Sequence, residues 1–360
     1  MKSTIVVAIL FLSACIARES TSYSVKHYDP SDEKIRVTGR VLGNDSVAIY
    51  WPGTNITVRF KGSTLKAQLR DENGKNFFNV VIDGDSLHPI ELDTIKRFYT
   101  LAHNLPDGEH TIELIKRSEW DKGKTWFYGM QVTKGELLSL PAPPKRAIEF
   151  IGNSITAGYA IDDTTGGDSP DGLFTNNYYT YAAITARHFN ADYYCTVKSG
   201  IGILVSWFPL EMPQLYNRLD PEDSLSRWDF SKAQPQVVVI NLMQNDSWLV
   251  NLPDHASFKK KFGKIAPSGS AITAAYKAFV TDIRKVYPDA HIICALGSMD
   301  ATRAGSPWPS YVSTAVNQIN DPKIHTLFFP YTGKAGHPRR DDNEAMARDL
   351  ISFIESKVNW

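Results

Sequence analysis

From Ile35 to about Leu138, apolar and polar residues alternate along short runs. Ile35-Arg36-Val37-Thr38-Gly39-Arg40-Val41, Ile56-Thr57-Val58-Arg59-Phe60, Leu65-Lys66-Ala67-Gln68-Leu69, Phe78-Asn79-Val80-Val81-Ile82 and His110-Thr111-Ile112-Glu113-Leu114-Ile115 each read as a strand. Gly43-Asn44-Asp45, Glu72-Asn73-Gly74, Asp83-Gly84-Asp85 and Pro106-Asp107-Gly108 supply turns between them. Many short strands without a helical period predict a β-sandwich over 35–140. Leu140-Pro141-Ala142-Pro143-Pro144-Lys145-Arg146 then places three prolines in four positions, which predicts a stiff linker over 141–146.

Beyond Ala147 the pattern changes. Apolar runs at Ile148–Ile151, Tyr193–Val197, Val237–Leu242, His291–Leu296 and His325–Phe329 read as buried strands. Helical spacing separates them, as in Tyr179–Phe189 and Ala271–Val286. Asn343–Val358 closes the series, with Asp341 and Asp342 as cap candidates. This alternation predicts an α/β domain over 147–360, a parallel five-stranded sheet between two helical layers.

The first residues form a different pattern. Met1-Lys2-Ser3-Thr4 precedes an apolar run from Ile5 to Leu12, then Ser13-Ala14-Cys15. The run is too short to span a membrane as a mature helix and reads as a secretory signal. Leu12-Ser13-Ala14-Cys15 also resembles a bacterial lipobox. That resemblance implies cleavage before Cys15 and a lipid on its sulfur, with 16–34 as a polar tether. An ordinary signal peptide with a chance cysteine is the plainer alternative. The expected location is the bacterial cell envelope, with lipid as the only membrane contact.

Composition narrows the classes. Lys+Arg and Asp+Glu are both 39, which argues against a nucleic-acid partner. Cys195 and Cys294 lie in or beside strand-like runs and read as buried free thiols. No metal-ligand spacing and no Gly-rich nucleotide fingerprint occurs, so no metal or cofactor is expected. The aromatic complement, with 16 Tyr and 8 Trp, suits core packing or sugar stacking. Trp207, Trp248 and Trp308 are candidates for a sugar-stacking wall, or are simply packed.

Candidate chemistry starts at Ala147-Ile148-Glu149-Phe150-Ile151-Gly152-Asn153-Ser154. A strand ends at glycine, and Ser154 stands where a helix should begin. Its hydroxyl would sit at the C-terminal edge of the sheet, beside amides able to face an oxyanion. A serine N-cap at an ordinary turn fits the same residues. Three further segments fall on the same rim: Lys198-Ser199-Gly200-Ile201-Gly202, Asn241-Leu242-Met243-Gln244-Asn245-Asp246 and Gly336-His337-Pro338. The Gly200 amide could approach a substrate oxygen, with Gly202 competing for that role. Asn245 could donate a side-chain N–H. Asp246 reads as a structural hydrogen-bonding residue. Gly166-Gly167-Asp168-Ser169-Pro170-Asp171-Gly172 reads as a loop beside Ser154.

Serine, glycine, asparagine and histidine in that order resemble the four blocks of the SGNH (GDSL-type) hydrolase superfamily. With a sandwich in front, the chain resembles carbohydrate esterase family 2 over roughly 35–360. The resemblance implies a jelly-roll-like sandwich followed by a three-layer SGNH domain. It implies Ser154 as nucleophile, His337 as general base, and an oxyanion hole of the Ser154 and Gly200 amides with the Asn245 side chain. The expected reaction is removal of O-acetyl groups from a plant polysaccharide of xylan or mannan type through an acyl-enzyme.

Departures from the pattern also carry expectations. Asn153 replaces the usual aspartate, and Met243 replaces a glycine and is expected to narrow the pocket. Lys334 and Ala335 occupy the places where the triad acid usually stands. The sequence therefore predicts a Ser–His dyad, with His337 held by a main-chain carbonyl. The alternative function is a surface glycan-binding protein with a vestigial site. An esterase for lipid-like substrates is a third reading, against which the lack of a long apolar lid segment argues.

Overall fold

The computed structural model describes residues 24–360; Cys15 and the signal-like run lie outside them. Two antiparallel six-stranded sheets form the front domain. One runs in the order Val41–Leu42, Val47–Ile49, Thr125–Thr133, Thr64–Asp71, Arg97–Ala102. The other runs Glu136–Leu138, Asn55–Lys61, Glu109–Lys116, Phe77–Ile82, Ser86–Glu91. Their alternating inward residues, among them Phe60, Phe78, Leu69, Leu114 and Phe127, meet in one core.

Two strand boundaries differ from the expectation. Part of the supposed tether, Val25–Tyr28, is a strand antiparallel to Thr125–Thr133. Its side chains are mostly exposed, so backbone pairing rather than an apolar pattern holds it. The run from Ile35 to Val41 is not one strand. It breaks at Gly39, whose φ of +138° turns the chain, and Ile35–Thr38 and Val41–Leu42 join opposite sheets. Arg40, at the break, is buried and reaches out of the sandwich.

The rear domain holds a five-stranded parallel sheet in the order Ala191–Val197, Arg146–Gly152, Val237–Asn241, His291–Leu296, Ile324–Phe328. All five predicted strands are present with slightly shifted ends. Ile148, Phe150, Val237, Val239 and Ile293 face a layer containing helices Tyr181–His188 and Arg340–Lys357. Ile151, Val238, Ile240 and Ile292 face the opposite layer, with Gly269–Val286 and Trp308–Ile319. Both faces are buried, which is why these strands read as continuous apolar runs.

The strand order reverses at Arg146–Gly152: the second strand pairs on one side and the third on the other. Loops leaving neighbouring strands there diverge to opposite faces and open a crevice at the C-terminal edge. Ser154 follows the first strand, Gly200 the second and Asn245 the third, so all three border this switch point.

The sandwich is docked firmly on the hydrolase-like domain. Ala48, Tyr50 and Trp51 belong to the rear domain's core cluster. Arg40 pairs with Glu149 at 2.7 Å, both side chains 2% exposed. Tyr216 and Thr196 hydroxyls donate to the same carboxylate at 3.0 Å each. Glu119, Trp120 and Asp121 reach the segment leading to Gly200: the Trp120 indole N–H donates to the Val197 carbonyl at 3.1 Å, and Lys198 pairs with Asp121 at 2.9 Å.

Candidate active site

Asn153 caps the short helix Ser154–Ala157, its Oδ1 accepting the Ile155 N–H at 3.0 Å. The usual aspartate can be replaced here because one oxygen suffices for the cap. The Asn153 Nδ2 is buried without a partner among the described residues. Ser154 is the first residue of that turn, so its own N–H has no intrahelical acceptor. Its Oγ lies 2.8 Å from His337 Nε2.

The Nδ1 of His337 does not meet a main-chain carbonyl. It lies 2.6 Å from the Asp168 carboxylate, in a Ser154–His337–Asp168 line. The predicted dyad is therefore incorrect: the arrangement is a triad whose acid comes from the loop after the first strand. Asp168 also accepts the His337 backbone N–H at 3.0 and 3.1 Å and pairs with Arg339 at 2.8 Å. Burial opposes its ionisation, but His337 and Arg339 outweigh that and hold the carboxyl well below the usual carboxylate range. Lys334, in the acid's usual place, instead pairs with Asp341 and Asp342 at 2.9 and 2.7 Å.

Two local features bring the acid in. Asp163 folds the loop by accepting the backbone N–H groups of Thr165 and Ser169, each at 2.8 Å. Gly336 has φ +85°, and a Cβ there would stand 2.9 Å from an Asp168 oxygen. Only glycine lets the histidine loop pass so close. The signal for Asp168 was present in sequence as an acid within the Gly-rich loop beside Ser154, but no spacing rule ties it to a histidine 169 positions later.

Gly200 adopts φ +84° and lines the pocket over Ser154 with Tyr159, Ser199, Trp207, Asn245 and His337. Gly202 does not line it. That glycine packs where a Cβ would fall 2.1 Å from the Val205 carbonyl, and its N–H donates to Ser206 Oγ at 2.9 Å. The Asn245 amide is fixed at both ends. Its Nδ2 donates to the Ile201 carbonyl at 2.8 Å, and its Oδ1 accepts the Trp207 indole N–H at 3.0 Å. One Nδ2 proton remains for a ligand.

The loop carrying Gly200 is held from two sides. Asp246, fully buried, accepts the N–H groups of Ile203, Leu204 and Val205 at 2.7–3.1 Å. Burial pushes its carboxyl up to about 6 against those bonds. From the sandwich, Glu119 accepts the Ser199 backbone N–H at 2.6 Å and also the Ser199 hydroxyl. Met243 does not narrow the pocket. It sits at φ +80° in the core, which explains why glycine is usual at this position.

Trp207 is 41% exposed at the pocket wall, Trp248 donates its indole N–H to Asp300 at 2.9 Å, and Trp308 is nearly buried. Cys195 and Cys294 are free and buried, and burial pushes both thiols up to about 12. No helix among the described residues is long and apolar enough to cross a membrane.

A sandwich joined to an α/β/α layer, with hydroxyl, imidazole and carboxylate in line beside free amide donors at a switch point, defines an SGNH-type carboxylic ester hydrolase. Comparison narrows the class. The family described as Carbohydrate esterase 2 N-terminal matches residues 37–143. The solved family two carbohydrate esterase from Clostridium thermocellum, in complex with cellohexaose, superposes with a TM-score of 0.81 at 32% identity, covering 90% of this chain and 98% of that one. The chain belongs to carbohydrate esterase family 2. It is 27% identical over 360 residues to an acetylxylan esterase / glucomannan deacetylase of Cellvibrio japonicus, covering 97% of this chain and 96% of that protein. It is 34% identical over 321 residues to the cellulase/esterase CelE of Acetivibrio thermocellus, spanning 86% of this chain but only 38% of that longer protein.

Proposed function

We propose that this protein removes O-acetyl groups from a plant polysaccharide of xylan or mannan type through an acyl-enzyme. The observation that carries this reading is the line from Ser154 Oγ to His337 Nε2 at 2.8 Å and from Nδ1 to Asp168 at 2.6 Å. A serine hydroxyl attacks an ester only when a base accepts its proton. His337 takes that proton as the Oγ–carbon bond forms, and Asp168 fixes the tautomer and stabilises the imidazolium. The Ser154 and Gly200 amides and the Asn245 side chain receive the oxyanion. Collapse breaks the carbon–oxygen bond to the sugar, which leaves with the proton from His337. Water, deprotonated by the same imidazole, then releases acetate.

The polysaccharide class rests on the names of the two carbohydrate-acting relatives and on the tryptophans at the pocket. A vestigial, purely glycan-binding site would lack an acid behind His337, and Asp168 stands in that place at 2.6 Å. The test is acetate release from acetylated xylan and glucomannan, alongside p-nitrophenyl acetate. Ser154→Ala should lower all of them by several orders of magnitude. Near-normal turnover in that variant would exclude Ser154 as nucleophile.

Export with a lipid anchor at Cys15 belongs to the same reading and rests on Leu12-Ser13-Ala14-Cys15. Labelled fatty acid should appear on the full-length protein in bacteria and be lost in Cys15→Ser. An unlabelled wild type would rule the anchor out.

A further inference from the structure

The pocket over Ser154 does not end at Trp207 and Trp248. The same two residues line a second cavity of about 620 Å³, which therefore adjoins the first. The carboxylate in that cavity is already engaged. Asp300 accepts the Trp248 indole N–H at 2.9 and 3.1 Å and the Gln244 amide at 2.7 Å. The cation is not engaged. Arg303 lies exposed on the loop after the single turn Asp300–Thr302, lines the cavity, and makes no side-chain hydrogen bond or ion pair among the described residues.

We propose that this cavity is a subsite for an acidic sugar and that Arg303 binds the sugar's carboxylate. The proposal rests on the reading of Ser154 as the nucleophile of a glycan deacetylase. With the acetylated unit over Ser154, a neighbouring unit of the same glycan that extends past the half-exposed Trp207 reaches the adjoining cavity. A free guanidinium there presents a planar fork of donors matched to a carboxylate. A neutral sugar would leave that fork to water. The favoured substrate is thus an acetylated oligosaccharide bearing a uronic acid next to the ester.

Acetate release is measured on matched acetylated xylo-oligosaccharides with and without a glucuronic acid substituent. The wild type should prefer the acidic one by roughly three- to tenfold in kcat/KM, as an ion pair in an open site permits. The preference should shrink as salt rises. Arg303→Gln should bring the ratio near one, and Arg303→Glu should invert it. Equal rates in the wild type, or a preference that survives in Arg303→Gln, would overturn the subsite. Turnover of p-nitrophenyl acetate by the unaltered protein separates the two readings. Its absence counts against the esterase reading, whereas turnover without acid preference counts against the subsite alone.

Discussion

Asp168 shows how one side chain can reorganise a site. It accepts from His337 through ring and backbone and is braced by Arg339, whose second guanidinium nitrogen donates to the Ala160 carbonyl at 2.6 Å. Asp168→Asn keeps the shape but presents an N–H to Nδ1 or forces the wrong tautomer. Turnover should fall by about 10³–10⁴-fold with KM little changed, measured by steady-state kinetics. Its depressed carboxyl also sets a sign for stability. The folded state binds the proton more weakly than the unfolded chain, so the contribution of Asp168 is present above the ordinary value of 3.8 and is lost as pH falls below it. Below that value, the stability difference between wild type and Asp168→Asn, followed by urea unfolding, should shrink as pH falls. A difference that grew on acidification below 3.8 would contradict this assignment.

Elements set the next scale, and two junctions matter. The turn carrying Glu119, Trp120 and Asp121 grips the segment Val197–Ser199 from the other domain, directly before Gly200. Glu119→Gln retains size and one acceptor but turns a donor toward Ser199. A kcat loss of about tenfold with little change in KM is expected, because a charge-assisted hydrogen bond to the Gly200 loop is weakened. Unchanged kcat would show that the loop holds its shape without the sandwich. At the opposite edge of the sheet, His291 and His325 stack with their rings 9° apart and Nδ1 and Nε2 separated by 3.1 Å. Burial lowers both values from 6.5, with Lys323 and Arg284 adding repulsion at His291 and His291 itself adding it at His325. The unfolded chain therefore binds protons more readily. Stability from this pair is present above 6.5 and is lost as pH falls through and below it. Thermal unfolding of His325→Gln should show a weaker fall between neutral and mildly acid pH than the wild type.

Across the whole molecule, the two domains share a core where they meet. Arg40 is buried against Glu149 and lies over the rings of Trp51, Tyr216, Trp228 and Phe230 at 5.1–5.8 Å. Arg40→Met leaves Glu149 buried without its cation, which costs about 3–5 kcal/mol. Calorimetry should show one unfolding transition for the wild type and a clearly lower Tm for the variant. Two well-separated transitions in the wild type would show that the sandwich and the hydrolase domain unfold independently.

What the sequence determined by itself was local. Period-two alternation marked the sandwich strands Ile35–Thr38, Asn55–Lys61, Thr64–Asp71, Phe77–Ile82 and Glu109–Lys116 but not Ser86–Glu91, Arg97–Ala102 or Thr125–Thr133, apolar runs marked all five parallel strands, and residues that end those strands marked Ser154, Gly200, Asn245 and His337 as neighbours on one rim. Those inferences succeed because burial pattern and strand polarity are written in consecutive residues. Strands held by backbone pairing, such as Val25–Tyr28, left no such pattern. Asp168, Arg339 and Glu119 were decided by tertiary structure alone. Each acts across a long separation, as when Asp168 meets His337 169 positions away. A carboxylate needs only to arrive at the imidazole with the right angle. Loop folding by Asp163 and the missing Cβ at Gly336 provide that approach, and neither distance nor angle is encoded in spacing along the chain.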